Sequence, residues 1–324
     1  MKTALLVMAA ALALAAQPKL LVNAQLDTRP AASGLEPAVH ALLGVQPQPG
    51  WIGYSVPAVR TWGLGCEYVR DGAGSSGVVH LEPPDHMLVL LRVEAGAVER
   101  IRAVSPDCEI DAGGVPFHWL NEVAPAQSVA LLESMAEKTG NAMFAIAMHA
   151  DASADRVLEH FLAADQPERL RLRAVQYIGQ TRGRHGLDVL RGVIADDADI
   201  RVRERAVSSL AGSREPEAQA MLVAMAKTGG DARLRAQAVS GLGRKSGRDV
   251  VTTLNGIVEN DADESVRRRA MSALETMPDG EGVPALIELA KSAKTPEMRK
   301  QAMTALERSR DPRTLTFFED VLKH

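Results

Sequence analysis

Nine arginines in the second half of the sequence are the side chains best placed to do chemistry, because together they could bind an anion. On a helical wheel that turns Leu170, Ala174, Val175 and Ile178 inward, positions 169, 172, 173, 176 and 180 face outward. The outward arginines are Arg169, Arg173, Arg201, Arg205, Arg233, Arg244, Arg268, Arg269 and Arg308. Only Glu204 and Glu297 oppose them in this pattern, although the whole chain has a net charge of -4. We predict a local positive field that steers an acidic partner; the alternative is a solvated helix surface with no ligand.

The two cysteines, Cys66 and Cys108, are the whole cysteine complement and lie 42 residues apart. In an oxidising compartment, an isolated pair most simply forms one disulfide. Closing this loop would stabilise the fold by about 4 kcal/mol in the chain-entropy treatment. Metal ligation is the alternative, but no second cysteine pair or matched histidine pair stands nearby. We therefore predict a disulfide.

Other motifs that resemble reactive sites lack the context that their chemistry needs. The segment DGAGSSG has GxGxxG spacing, yet VVHLEPP follows where a dinucleotide-binding loop requires a helix. His80, His86 and His118 could meet as metal ligands, but their spacing matches no compact site. The sequence contains no GxSxG, HExxH or Cys/His nucleophile pattern. We assign no catalytic residue and expect neither a metal nor another cofactor.

A period of 32 residues organises the elements that must position the arginines. The same small residue recurs at this spacing, as Ala142, Ala174, Ala206, Ala238, Ala270 and Ala302. Ile or Leu follows four residues later in every copy, and a second apolar register runs from Leu158 to Phe318. Each period thus predicts two apolar helical stripes separated by polar joints such as TRGRHG and ADDADI.

Two amphipathic helices of about a dozen residues cannot bury their apolar faces alone, so such hairpins must stack. The pattern predicts an α-solenoid of about six helical hairpins of 32 residues each. The Ala of each period lets neighbouring helices approach closely, so Ala206→Leu should overpack the stack.

The repeated phrase resembles a known family. The pattern (V/L)RxxA(V/M)xxL after an Asp-bearing loop, as in DADIRVRERAVSSL, is similar to HEAT repeats of the short bacterial type, also called phycobilisome-lyase HEAT-like repeats. The resemblance covers about 141–324 and implies that the helix carrying the phrase lines the concave side. The first copy departs from the pattern at Lys138 and is expected to be a capping unit.

The resemblance also implies a structural role for a second series of arginines. An Arg stands three residues before the Ala of each later copy: Arg171, Arg203, Arg235, Arg267 and Arg299. In HEAT-like repeats an Arg here pairs with the Asp of the loop between repeats, and Asp199, Asp231 and Asp263 stand at matching positions. We expect this series to hold the repeats together instead of binding a partner.

The residues before the repeats have a different sequence pattern, which is typical of β-strands. The stretch DHMLVLLRVEAGAVERIRAVSPD predicts two strands around an Ala-Gly turn, with VVHLE before it and CEIDAGG after it. Trp51, Trp62 and Trp119 all lie in this part. We predict a small β-rich, disulfide-linked domain over 17–123, followed by the solenoid over 124–324.

The sequence starts with a Lys at position 2, an apolar run from Ala4 to Ala16 and small residues at Ala13 and Ala15. This pattern is typical of a cleavable secretory signal, so we predict a signal peptide at 1–16. No later segment is apolar and long enough to predict stable membrane insertion. The expected location is the periplasm or the medium outside the cell.

These observations favour an exported, non-catalytic scaffold that binds an acidic partner on the concave face of the solenoid. The partner would be another protein or an anionic envelope polymer, since export disfavours nucleic acid. The alternative is an enzyme or a sensor accessory whose site lies in the β-rich domain. In that case Trp51, Tyr54 and Trp62 would line a pocket, and the repeats would present the substrate.

Overall fold

The computed structural model describes residues 21–45, 48–60, 64–66 and 82–323. The predicted signal peptide, the DGAGSSG segment, Trp62 and His80 lie outside the described residues. The chain forms two compact units, Met1–His160 and Phe161–His324. The boundary between residues 123 and 124 stays a prediction.

In its described residues, the first unit combines strands with four helices. In chain order its elements are β1 (Leu21–Val22), β2 (Gln25–Pro30), α1 (Leu35–Val45), β3 (Gly50–Pro57), β4 (His86–Glu94), β5 (Ala97–Val104), β6 (Ile110–Asp111), β7 (Pro116–Asn121), α2 (Pro125–Met135), α3 (Ala142–Met148) and α4 (Ala152–His160). Five strands form a mixed sheet in the order β2-β7-β3-β4-β5, and β1 pairs with β6. The pairs β2–β7 and β3–β7 are parallel, whereas β3–β4 and β4–β5 are antiparallel.

The predicted hairpin is present as β4 and β5. Its turn residues Ala95 and Gly96 have φ values of 50° and 74°. Two consecutive left-handed residues match the twist of a two-residue hairpin turn, and glycine takes this conformation at little cost. The predicted disulfide between Cys66 and Cys108 is also present.

The two faces of the sheet are covered differently. On one face Tyr54 of β3 bonds to Ser128 of α2, and α3 packs against β5. On the other face Phe117 and Trp119 form an apolar cluster that includes Cys108. Burial on both faces explains why β3 and β4 contain nearly continuous apolar runs.

The second unit is entirely helical in the described residues. Its helices are α5 (Glu168–Thr181), α6 (Gly183–Asp196), α7 (Ile200–Gly212), α8 (Pro216–Thr228), α9 (Ala232–Leu242), α10 (Arg248–Asn260), α11 (Glu264–Thr276), α12 (Val283–Ser292), α13 (Pro296–Arg308) and α14 (Pro312–Lys323). Together with α3 and α4 they make six helical hairpins, which confirms the repeat architecture predicted from the 32-residue period. None of the described helices is long and apolar enough to cross a membrane.

The first helix of each hairpin in this unit packs beside the first helix of the next. We call α5, α7, α9, α11 and α13 the first-helix layer. The repeated Ala lies in this layer, and its side chain is completely buried in every copy from Ala174 to Ala302. Small buried residues allow close helix contact, and the neighbouring Leu and Val side chains supply the apolar area that stabilises the stack.

Candidate functional site

The arginines three residues before each repeated Ala hold the repeats together, as expected, but they use a different Asp. Arg171 is buried and donates to the Asp197 carboxylate and to the Leu162 carbonyl. Arg235 forms a bidentate pair with Asp261 at 3.0 and 3.1 Å. Each Arg therefore contacts the Asp that follows the second helix of its own hairpin.

The expected partners Asp199, Asp231 and Asp263 have another role. Each is the residue before a first helix, and its carboxylate accepts a hydrogen bond from a backbone amide in the first turn. Such N-caps satisfy amides that have no partner inside the helix. The prediction was wrong about the partner because the loop contains two Asp residues two positions apart, and a sequence pattern does not show which one faces the Arg.

Among the described residues, the Arg–Asp pair is made in two repeats only. At the positions equivalent to Asp197 and Asp261, the α7–α8 and α11–α12 hairpins have Gly229 and Ala293. Arg203 instead donates to the Ile194 carbonyl at 2.8 Å. Backbone carbonyls also accept from Arg267 and Arg299.

Pairing shifts the pKa values of Arg235 and Asp261. Burial alone would raise the pKa of Asp261, but hydrogen bonds from Arg235 and the Asp263 amide lower it below its ordinary value of 3.8. The hydrogen bond to Asp261 raises the pKa of Arg235. Both side chains are largely buried, with exposed fractions of 14% for Arg235 and 7% for Asp261. The pair is therefore a structural ion pair and offers no free group to a ligand.

The nine outward arginines do lie at the surface. All are exposed except Arg173, which is half-buried. However, they are opposed by more carboxylates than Glu204 and Glu297, the two that the sequence pattern identified. Arg201 pairs with Glu168 at 2.9 Å, and Arg308 is bidentate to Glu275 at 2.9 and 2.6 Å.

Two further outward arginines also have acidic partners. Arg233 is bidentate to Glu204 at 2.8 and 2.9 Å, and Arg268 lies 3.7 Å from Glu264. The expectation that only two carboxylates oppose the arginines is therefore wrong. Most of these partners are on a neighbouring repeat, about one period away in sequence, so a wheel drawn for one helix does not bring the two charges together.

A smaller subset of the arginines keeps its charge uncompensated. Within the described part of the chain, the side chains of Arg205, Arg244 and Arg269 have neither a hydrogen bond nor an ion pair. Arg205 and Arg269 share one register, the residue immediately before the repeated Ala. We call this register the donor column, and its members on the first-helix layer are Arg173, Arg205, Gln237, Arg269 and Gln301. Every member carries N–H donors, and none is acidic.

An open groove lies between α11 and α13 of the first-helix layer. It consists of two adjoining cavities of about 440 and 310 Å³ that share Arg268, Met271, Glu297 and Gln301. Both cationic and acidic side chains line it, so its electrostatic character is mixed. The groove reaches the donor column at Gln301.

The aromatic residues of the first unit separate into two environments. Trp51 lines an open cavity of about 840 Å³ beside Arg92 and Arg100. Tyr54 is completely buried and does not line this cavity. The hypothesis that Trp51 and Tyr54 line one pocket is therefore wrong, because residues three apart on a strand point to opposite faces.

Tyr54 belongs instead to a buried polar chain that the sequence patterns did not reveal. Its hydroxyl oxygen is 2.9 Å from Ser128 Oγ, which is 2.9 Å from His149 Nε2. His149 Nδ1 is 2.8 Å from the Ala145 carbonyl oxygen. Burial raises the pKa of Tyr54 well above its ordinary value. Since all three side chains are fully buried, a substrate has no access to them. Their hydrogen bonds link β3 to α2 and α3.

The other two described histidines of the motif search, His86 and His118, each contact a different carboxylate. His86 contacts Asp85 at 2.9 Å, and His118 contacts Asp27 at 3.2 Å. Hydrogen bonds from Arg29 and His118 lower the pKa of Asp27, the one from Arg29 having the larger effect. Among the described residues, no group of three or more His, Cys, Asp or Glu side chains is placed to hold a metal ion.

Comparison with known proteins gives one family match. A family model described as HEAT repeats matches residues 156–243 and 251–324. No curated protein matches the chain.

Three of the solved structures that are similar to this chain have low TM-scores and low sequence identities. The complex of CpcE and CpcF of phycocyanin lyase from a Nostoc species has a TM-score of 0.36 and 24% identity, over 48% of this chain and 99% of that chain. Human deoxyhypusine hydroxylase in complex with glycerol has a TM-score of 0.33 and 15% identity, over 60% and 77% of the two chains. YibA of Escherichia coli has a TM-score of 0.32 and 21% identity, over 47% and 57%.

Proposed function

The chain belongs to the HEAT-repeat family, and on that premise we propose that it is an exported, non-catalytic scaffold that binds an acidic protein segment across its first-helix layer. The observation that carries this proposal is the donor column. One Arg or Gln stands at the same register in each of five successive hairpins, and no carboxylate interrupts the series.

The local charges around the column support an acidic partner. Arg201, Arg233, Arg268 and Arg308 are paired with carboxylates of the same unit, which reduces their attraction for a ligand. The exposed Arg205 and Arg269 lack such a partner within the described residues, so their field extends into solvent. A ligand carboxylate would gain charge-assisted hydrogen bonds there without displacing an internal partner.

The spacing of the helices suggests how such a segment would bind. Packed helices lie about 8–10 Å apart, and a chain in the polyproline II conformation advances about 3.1 Å per residue with about three residues per turn, so every third side chain points to the same face. An acidic residue at about every third position would therefore meet successive members of the column. The glutamine members, Gln237 and Gln301, can donate to carbonyl or carboxylate oxygens and need no counter-charge.

Two features support export. The apolar run Ala4–Ala16 after Lys2 has the pattern of a secretory signal. The Cys66–Cys108 disulfide suits an oxidising compartment. Mass spectrometry of the protein purified from the producing cells tests this part of the proposal: we expect a mature chain that starts near residue 17, and a chain that retains residues 1–16 would contradict export by cleavage.

The binding proposal is tested with a synthetic peptide of about 15 residues that carries Glu at every third position, and with a matched peptide that carries Gln there. Fluorescence anisotropy at low salt should show binding of the Glu peptide only. The double variant R205E/R269E should weaken this binding by at least about tenfold, because two attractive charges become repulsive.

The matched control reverses an arginine outside the column. Arg184 is exposed on α6, where it pairs with Glu217 at 2.6 Å, so R184E should leave peptide binding unchanged. Thermal unfolding of R205E/R269E should remain close to that of the wild-type chain, since neither side chain makes a hydrogen bond to another residue that the structure describes. Equal binding of the Gln peptide, or undiminished binding by R205E/R269E, would refute the role of the donor column.

A further inference from the structure

Four side chains form a row across one face of the sheet in the first unit. The strand registers place Phe117 of β7 opposite Trp51 of β3, Trp51 opposite Arg92 of β4, and Arg92 opposite Arg100 of β5. Residues directly opposite each other on neighbouring strands point to the same face. The row therefore changes from two aromatic rings to two guanidinium groups as it approaches the edge strand β5.

The two guanidinium groups at the end of the row form a pair of like charges on neighbouring strands. Like charges directly opposite each other on paired strands are destabilising. Neither Arg92 nor Arg100 forms an ion pair within the described ranges. The Arg92 guanidinium lies 5.5 Å from the centre of the Trp51 ring, a cation–π contact that fixes its position. A pair of like charges, one of which is held over an aromatic ring, suggests a ligand that carries an anionic group.

The cavity above this row offers the groups for such a ligand. Its volume is about 840 Å³, and the carboxylates of Glu94, Glu99 and Asp111 line it together with the two arginines. Asp111 is held in place by hydrogen bonds from Asn23 Nδ2 and the Gly113 amide. Because the three carboxylates would repel a simple anion, the ligand must also carry groups that donate hydrogen bonds to them.

We propose that this cavity binds an anionic saccharide. The arginines Arg92 and Arg100 would hold its carboxylate or phosphate, since a guanidinium matches the geometry of both oxyanions. The carboxylates of the lining would accept hydrogen bonds from the sugar hydroxyls, and the edge of Trp51 would contact the apolar face of the ring. This site goes beyond the protein-binding role of the repeats and is independent of it.

The full-length protein is titrated with glucuronate, glucose 6-phosphate and glucose, and binding is followed by tryptophan fluorescence and isothermal calorimetry. Binding of glucuronate or glucose 6-phosphate with no binding of glucose is the expected result. Which of the two binds more tightly identifies the recognised group as carboxylate or phosphate. No binding of either at about 10 mM would overturn the proposal.

Substitutions at the two arginines locate the site. R92Q and R100Q should each weaken binding of the anionic sugar by about tenfold or more, whereas R60Q, which removes an exposed Arg paired with Glu82 in the same unit, should not. R100Q should melt at the same temperature as the wild type or higher in the absence of sugar, because it removes a like-charge pair. If R92Q fails to fold, R100Q alone decides the result.

Two outcomes would contradict this assignment. Unchanged affinity in R100Q would place the binding elsewhere on the molecule. Equal affinity for glycine or aspartate would show that the cavity recognises a zwitterion instead of a saccharide.

Discussion

The two compact units connect their polar side chains over different sequence separations. In the first unit the bonds connect distant residues: Tyr54 and Ser128 are 74 positions apart, and Asp27 and His118 are 91 apart. In the second unit the pairs connect neighbouring repeats, as in Arg201–Glu168 and Arg308–Glu275, the latter 33 positions apart. A repeat array sums many similar local contributions, whereas the sheet depends on a few long-range closures.

The largest effect is expected from removing the disulfide of the first unit. The double variant C66S/C108S removes a crosslink over 42 residues and should lower the free energy of unfolding by about 4 kcal/mol. Amide hydrogen exchange should show lost protection in β4 and β5, with α7 to α11 unchanged. Equal loss of amide protection in the repeats would contradict the expectation that the disulfide stabilises the first unit alone.

Breaking the buried ion pair of the repeats should have the next largest effect. D261N leaves Arg235 without its counter-charge and should lower the free energy of unfolding at neutral pH by about 3 kcal/mol. The pKa of Asp261 is lower in the folded chain than its ordinary value of 3.8, so its stabilising contribution is complete above that pH and is lost as the pH falls through the folded pKa.

Urea denaturation over a pH series measures this difference. Wild type and D261N should differ fully at pH 7 and converge in acid. D188N, which removes an exposed partner of Arg191, is the control and should change the midpoint little at any pH. A difference between wild type and D261N that persisted unchanged in strong acid would contradict the proposed charge pairing.

Overpacking the first-helix layer should have a moderate effect. Ala206 is fully buried between neighbouring helices, so Ala206→Leu should cost about 2 kcal/mol. Ala220 is exposed on α8, and Ala220→Leu provides the matched control. Comparison of their denaturation midpoints tests whether the repeated Ala is required by packing; equal midpoints would argue against close helix contact at this register.

The smallest effect, a gain in stability, is expected from adding an Arg–Asp pair to a repeat that lacks one. Ala293 follows α12 with φ −58° and ψ 146°, close to the backbone conformation of Asp261, which follows α10 with φ −65° and ψ 137°. A293D should therefore place a carboxylate near Arg267, as Asp261 is placed near Arg235, and raise the free energy of unfolding by about 1 kcal/mol. A lower denaturation midpoint for A293D would show that the repeats are not equivalent at this position.

Much of the second unit could be predicted because its apolar contacts recur every 32 residues. The Ala register, the two apolar stripes and the structural role of Arg171 and Arg235 are all periodic in sequence. The choice of Asp261 over Asp263 could not be predicted, since both carboxylates lie in one loop and only the backbone path decides which faces the Arg. Pairs between repeats, such as Arg308–Glu275, were missed for a similar reason.

In the first unit, prediction succeeded for local features and failed for distant ones. The β4–β5 hairpin follows from alternating residues around an Ala-Gly turn. The hydrogen-bonded series from Tyr54 through Ser128 to His149 follows no local pattern, because its members come from a strand, a helix and the residue that follows another helix. The opposed pair Arg92 and Arg100 likewise depends on strand register, which sets residues across a turn face to face.

By itself, the sequence determined that helical hairpins repeat every 32 residues, that the two cysteines pair, and that a β-rich segment precedes the repeats. The repeats and the β-rich segment follow from hydrophobic periodicity and turn chemistry, which act over short separations, and the disulfide follows from the presence of only two cysteines. Only the tertiary structure decided which arginines are neutralised and which remain available, as Arg205 and Arg269 do. Electrostatic pairing depends on distances between groups of different repeats and strands, and those distances are fixed only when the chain has packed.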